Sequence, residues 1–181
     1  MSPSGAVTVR HATVGDAPAL GQVHVRAWRA AYRGQMPDDY LDGLRPEERE
    51  AGWERGLRRD RAHDPVLVAE RDGRVVGFAV VRAAEDPEGA GELAAINVDP
   101  DHWGTGAGRA LLAAANAELA RLGYEEAVLW VLPGNHRARR FYEVAGWVAD
   151  GAERTDEVQG VVVPEVRYRR RLEAPDGAGA Q

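Results

Sequence analysis

The stretch that most constrains this chain runs from Glu92 to Leu112: Glu-Leu-Ala-Ala-Ile-Asn-Val-Asp-Pro-Asp-His-Trp-Gly-Thr-Gly-Ala-Gly-Arg-Ala-Leu-Leu. Leu93 to Val98 is apolar and partly β-branched and predicts a buried strand. Pro100 stops it, because proline has no N–H to donate to a ladder. Gly104, Gly106 and Gly108 follow, and the Ala/Leu-rich segment from Arg109 to Leu122 has helical character. A strand, a glycine turn and a helix N-terminus make an anion site. Free N–H groups of the first turn point at the ligand, the helix dipole adds positive potential, and missing β-carbons let phosphate oxygens come close.

Glycine spacing discriminates among the folds that use this device. A Walker loop ends in Gly-Lys-Ser/Thr, whereas the 23 basic residues here are all arginine. A dinucleotide fingerprint, G-x-G-x-x-G/A, fails in both frames, since its last position falls on Arg109 or on Leu111. The run Trp103-Gly104-Thr105-Gly106-Ala107-Gly108 instead resembles the acetyl-CoA pattern of the GCN5-related N-acetyltransferases (GNAT), Gln/Arg-x-x-Gly-x-Gly/Ala, with Trp103 in place of the usual first residue. A second signature follows the next strand, Ala127 to Val131. Asn135-His-Arg-Ala-Arg-Arg-Phe-Tyr-Glu-Val-Ala-Gly-Trp147 is similar to the family's Asn-x-x-Ala-x-x-Phe-Tyr-x-x-x-Gly-Phe, with Trp147 as the closing aromatic.

The resemblance implies a mixed α/β fold: a twisted, mostly antiparallel sheet with one splayed parallel pair and helices on both faces. It implies one domain over residues 1–173, with 174–181 as a disordered tail. Acetyl-CoA is the implied cosubstrate. Its pantetheine arm pairs with backbone at Ile96, Asn97 and Val98, and its phosphates sit on Trp103, Gly104, Thr105, Gly106, Ala107 and Gly108. Arg109 and Asn135 are further cofactor contacts. Tyr142 matches the family's tyrosine near the sulfur, the general acid for the leaving thiolate; a phenol near pKa 10 is workable for that task. Glu92 opens the cofactor strand, spaced from Gly106 as the catalytic glutamate is in histone-acetylating relatives, and is the candidate general base. Trp28 and Tyr32, four apart on one helix face, are candidates for the acceptor wall, with packing onto the sheet as the competing role for Trp28.

Acetyl transfer by direct attack needs no enzyme nucleophile, which suits a chain without cysteine. The same absence removes disulfides and thiolate metal sites, and His102 and His136 have no ligand spacing, so no metal is expected. The net charge of −6 argues against nucleic acid and suits a cationic acceptor, a small-molecule or peptide amine. No apolar run resembles a leader or a membrane span, so a cytoplasmic protein acting away from membranes is the expectation. A homodimer is compatible with the fold. A CoA-binding sensor without turnover is the alternative reading.

The rest of the chain fits this frame. Val7 to Arg10 predicts an edge strand; Asp16 and Pro18 start a helix reaching Tyr32. Short helices are expected from Met36 to Leu41 and from Arg45 to about Arg59. Pro65 to Arg71 and Arg74 to Arg82 form a hairpin on an Asp72-Gly73 turn. Gly123 caps the glycine-turn helix, and Gly146 ends the one that begins after Asn135. Trp147 to Ala149 and Val161 to Arg170 are the expected last strands, joined by a connection over Asp150 to Gly160. Pro164 suggests a bulge or an edge position.

Overall fold

The computed structural model describes residues 5–158 and 160–174. The strands are β1 Thr8–His11, β2 Val66–Arg71, β3 Arg74–Ala83, β4 Gly91–Val98, β5 Glu126–Val131, β6 Val148–Val158 and β7 Val161–Arg171. They form one seven-stranded sheet in the order β1-β2-β3-β4-β5-β7-β6. Every neighbouring pair is antiparallel except β4 with β5. The helices are α1 Ala17–Ala31, α2 Asp38–Gly43, α3 Pro46–Leu57, α4 Ala107–Arg121 and α5 His136–Val144. Among the described residues no helix is long and apolar enough to cross a membrane.

Strand alternation distributes the core over both faces. Leu67, Ala69, Val76, Val81 and Leu93 pack with Leu111, Leu112, Ala115 and Leu119 of α4. Val68 and Phe78 face the other way, onto Leu20 and Val23 of α1 with Trp53 and Leu57 of α3 behind them. Close approach is built in by Gly21, where a β-carbon would stand 2.6 Å from the carbonyl oxygen of Pro46 at the start of α3. The β2–β3 turn has Asp72 at φ 51° and Gly73 at φ 73°, the double positive φ that a two-residue hairpin of this twist requires.

Three expectations need correction. Asp16 precedes α1 but its side chain does not cap it: the carboxylate accepts from the Thr13 N–H at 2.7 Å and takes both arms of Arg10 at 2.8 Å. The tight turn Val14–Asp16 puts those donors nearer than the first turn of the helix. The second helix starts later, at Asp38, because Pro37 stays extended and Met36 is buried. Asp150 to Val158 is not a connection but the body of β6, with a register shift between Ala149 and Glu153. Pro164 sits in β7 opposite Thr155, beyond Val166, where the pairing with β5 ends. It therefore has a strand on one side only, the condition a proline in a sheet needs. All of the tail from residue 175 lies outside the described residues.

One irregularity opens the sheet. Parallel pairing of β4 with β5 is confined to Gly91 opposite Ala127 and Glu92 opposite Val128. On its other side β4 continues against β3 as far as Val98, but Ala94 is skipped, falling between the pairs Val81 with Leu93 and Val80 with Ala95. An extra residue on one strand bends it and increases its twist. The bulge comes two residues after the last β4–β5 pair, so Leu93 to Val98 turns away from β5 and has no strand on that side.

Candidate active site

Two clefts meet at this split. The first, about 890 Å³, lies between the glycine turn and α5 and is bordered by Ile96, Val98, Trp103, Gly104, Gly106, Gly108, Arg109, Arg137, Phe141 and Tyr142. The second, about 580 Å³, is bordered by Trp28 and Tyr32 of α1, Arg82, Glu92 and Asn97, Trp130 and Asn135, and Arg154, Asp156 and Glu165 of the last two strands. Ile96, Val98, Trp103, Arg137 and Tyr142 border both.

The glycine turn is built for an approaching ligand. Gly104 has φ 72° and Gly106 φ 96°, conformations costly for a side chain, and nothing stands within 4 Å of where a β-carbon would project at either. Gly106 is the N-cap of α4 and Ala107 its first, buried residue, so the N–H groups of the first turn have no intrahelical partner. Gly108 lies behind, where a β-carbon would stand 3.5 Å from the Phe141 ring. The Thr105 side chain serves the turn: its hydroxyl donates to the His102 carbonyl at 2.6 Å, while Arg71 donates to the Thr105 carbonyl at 2.8 Å. The group implied by such a cradle is CoA, and an open, positive-φ turn at a helix N-terminus beside a strand with a free edge fits its pyrophosphate and its amide-bearing arm.

Trp103 does not simply replace a polar residue. Its indole N–H donates to the Val98 carbonyl at 2.9 Å, tying the turn to the end of β4. The guanidinium of Arg137 lies over its ring, and desolvation there lowers the pKa of Arg137 from the ordinary arginine value. Arg109 is exposed on the rim of the first cleft. Arg139 turns inward to Tyr168 and the Pro133 carbonyl. The Asn135 side chain accepts from the Ala138 N–H at 3.2 Å, the cap its residue type predicts, and borders the second cleft.

Tyr142 is buried where the clefts join, packed against Phe141, Trp147 and Tyr168. Burial, then the nearby Tyr32, pushes its phenol well above the ordinary tyrosine range, so it stays a proton donor. Tyr32 is pushed up to about 12 by burial and by the charge of Glu165. Trp28 both packs and lines: its ring centroid is 4.9 Å from that of His24 and 5.1 Å from that of Tyr32, on the border of the second cleft.

Glu92 is 4% exposed, and Arg82, opposite it on β3, donates to it through Nε at 2.8 Å. A matching pair crosses the last hairpin: Arg154 of β6 donates through Nε to Glu165 of β7 at 2.7 Å. The same guanidinium reaches Asp156 at 3.4 Å and lies 4.3 Å from the ring centroid of Trp130. Burial raises the pKa of Glu165 above the usual carboxylate value; Arg154 opposes this, while Asp156 and Glu92 reinforce it. Sequence reading missed Trp130, Arg154, Asp156 and Glu165. The available signal was Glu165 in an inward slot of an otherwise apolar alternation, Val161, Val163, Glu165.

The acetyltransferase (GNAT) family profile matches residues 25–147. An uncharacterised N-acetyltransferase of Bacillus subtilis, YuaI, is 36% identical over 133 residues, 71% of this chain and 73% of that protein. A mycothiol acetyltransferase of Acidimicrobium ferrooxidans is 37% identical over 139 residues, 75% of this chain but 41% of that protein, so the chain spans less than half of it. In fold, the PaiA N-acetyltransferase of Thermoplasma acidophilum, solved in complex with coenzyme A, superposes with a TM-score of 0.75 at 18% identity over 92% of this chain and 99% of that one. The split sheet, the open glycine turn and these likenesses agree: the chain belongs to the GNAT acetyltransferase family.

Proposed function

We propose that this N-acetyltransferase moves the acetyl group of acetyl-CoA to a primary amine by direct attack, with the two substrates in the two clefts and Tyr142 between them. The observation that carries the reading is the meeting of both clefts at Tyr142, across the unpaired edge of β4. Acetyl-CoA supplies an acyl thioester whose leaving group is a thiolate.

The chain's own groups then divide the work. Gly104, Gly106 and the first turn of α4 hold the pyrophosphate. Backbone of Ile96 to Val98 pairs with the arm, and Arg109 and Arg137 neutralise phosphate charge. A β4 N–H on the open side stabilises the developing oxyanion, a contribution of several kcal/mol in sites of this kind, roughly 3–4. Tyr142 protonates the thiolate. The carboxylates of Glu92 and Glu165 draw the acceptor in as an ammonium and one of them takes up its proton, while Trp28, Tyr32 and Trp130 contact its carbon skeleton.

Calorimetric titration with CoA, followed by amine-dependent thiol release, tests this. Tyr142→Phe keeps the ring packing, so CoA binds as in the wild type while turnover falls by about 10²-fold or more. Saturable CoA binding with no thiol release for any amine would leave a sensor instead. Absence of CoA binding would remove both readings.

A further inference from the structure

The geometry points to a division of labour within the carboxylate pair: Glu165 receives the acceptor ammonium and its proton, and Glu92 positions the strand beneath. This rests on the acetyl-transfer reading above and deepens it.

Charge at the second cleft sets the class of acceptor. Glu92, Asp156 and Glu165 face Arg82 and Arg154, three carboxylates against two guanidiniums. Arg137, the other guanidinium on that border, is held 3.5 Å over Trp103. Glu92 has Arg82 to itself, whereas Glu165 and Asp156 share the one guanidinium of Arg154, so negative charge is in local excess at that corner, where an ammonium would be held. Arg82 and Arg154 each already bind a carboxylate of the chain through Nε. The acceptor that suits this corner is a primary amine held as its ammonium, with an apolar or aromatic body beside Trp28, Tyr32 and Trp130.

The two glutamates differ in how they are held. Glu92 is the more deeply buried, and Arg82 lies directly across the ladder from it. Arg154 is divided: Nε serves Glu165, another nitrogen reaches toward Asp156, and the plane leans on Trp130. A shared counterion gives a carboxylate that is easier to protonate, and burial together with Asp156 and Glu92 acts in the same direction. Glu165 also lies one residue before Val166, where the β5 pairing of β7 ends. The charged and titratable groups facing it are Tyr32 from α1, Glu92 from β4, and Arg154 and Asp156 from β6. Tyr32 in turn acts electrostatically on Tyr142. Proton acceptor and proton donor thus flank one tyrosine.

The step balances. The ammonium gives one proton to a Glu165 carboxylate oxygen, and the neutral amine attacks the thioester carbonyl to form the C–N bond. As the C–S bond breaks, the Tyr142 hydroxyl protonates the thiolate, and its phenolate takes the second proton from the new amide nitrogen. Glu165 returns its proton to solvent.

The test compares Glu165→Gln, Glu165→Asp and Glu92→Gln with wild type across pH. Thiol release is followed with phenethylamine, tryptamine and a peptide with a free N-terminal alanine, and CoA binding is measured in parallel. Glu165→Gln should lower kcat by about 100-fold or more and abolish the acid limb of the rate profile, with CoA binding retained. Glu92→Gln should keep that limb. Should Glu165→Gln not fold, Glu165→Asp carries the test: a rate about 10-fold lower with a displaced limb supports the assignment. Wild-type rates and an unmoved limb in either Glu165 variant overturn it, as does loss of the limb in Glu92→Gln. Absence of thiol release by the wild type with every amine overturns the underlying reading, a result distinct from these.

Discussion

The guanidinium of Arg137 lies 3.5 Å above the centroid of the Trp103 ring, joining the first residue of the glycine turn to the first turn of α5. The position that carries Gln or Arg in the family pattern carries here a tryptophan that holds an arginine delivered by the other motif. A cation on an indole contributes about 0.5–2 kcal/mol according to its exposure. Trp103→Ala is expected to weaken CoA binding about 10-fold, since 1.4 kcal/mol is a factor of ten. Trp103→Phe retains the ring, loses the bond to the Val98 carbonyl, and should fall between. Calorimetry on both, with Arg137→Ala, checks this; equal affinities throughout would remove the pair from the cofactor site.

The glycine turn makes a separate prediction. At Gly106, φ 96° disfavours any side chain by about 1–2 kcal/mol, although the space beside it is open. Gly106→Ala should lower Tm by roughly 2–8 °C and weaken CoA modestly. Gly106→Glu adds a carboxylate to an anion site and should abolish CoA binding at a similar Tm cost. A Glu variant that binds CoA normally would show that the phosphates lie elsewhere.

His24 predicts a dependence of stability on pH. Its ring sits among Trp28, Trp53 and Phe78, and neither ring nitrogen has a hydrogen-bond partner among the described residues. Burial, then the charge of Arg49, pushes its pKa down to about 4. The folded state therefore favours neutral imidazole. Stability from this site is complete above the unfolded value near 6.5 and is lost as pH falls toward 4, on the order of 3 kcal/mol in total. His24→Phe should remove that loss, raising Tm relative to wild type at pH 4.5 more than at pH 7.5. Parallel Tm curves for the two proteins would contradict it.

Much of the fold is legible in the chain because its signals are local. Positive φ at Gly104 and Gly106, the Asn135 cap and the Asp72-Gly73 turn are each demanded by a few neighbouring residues. The split is not local: Ala94 looks like its neighbours, and its bulge exists only in the pairing with β3. The charged border of the second cleft is hidden for another reason. On β6, Arg154 and Asp156 alternate with Glu153, Thr155 and Glu157, polar against polar, so hydropathy carries no period although Glu153 to Val158 pairs regularly with β7. Its inward face lines a charged cleft rather than a core, and only the fold reveals Glu165 beside them.

The two-residue seam between β4 and β5 has an evolutionary consequence. On the proposed reading, the glycine turn and the free edge of β4 hold the cosubstrate, whose chemistry is fixed. The β6–β7 hairpin lies across the seam and, on the same reading, faces the acceptor together with α1 of the β4 side. Since the two sides share so little ladder, replacements on the hairpin at Arg154, Asp156 or Glu165 can re-address the protein to a new amine without disturbing the CoA cradle. Selection can act on one substrate at a time.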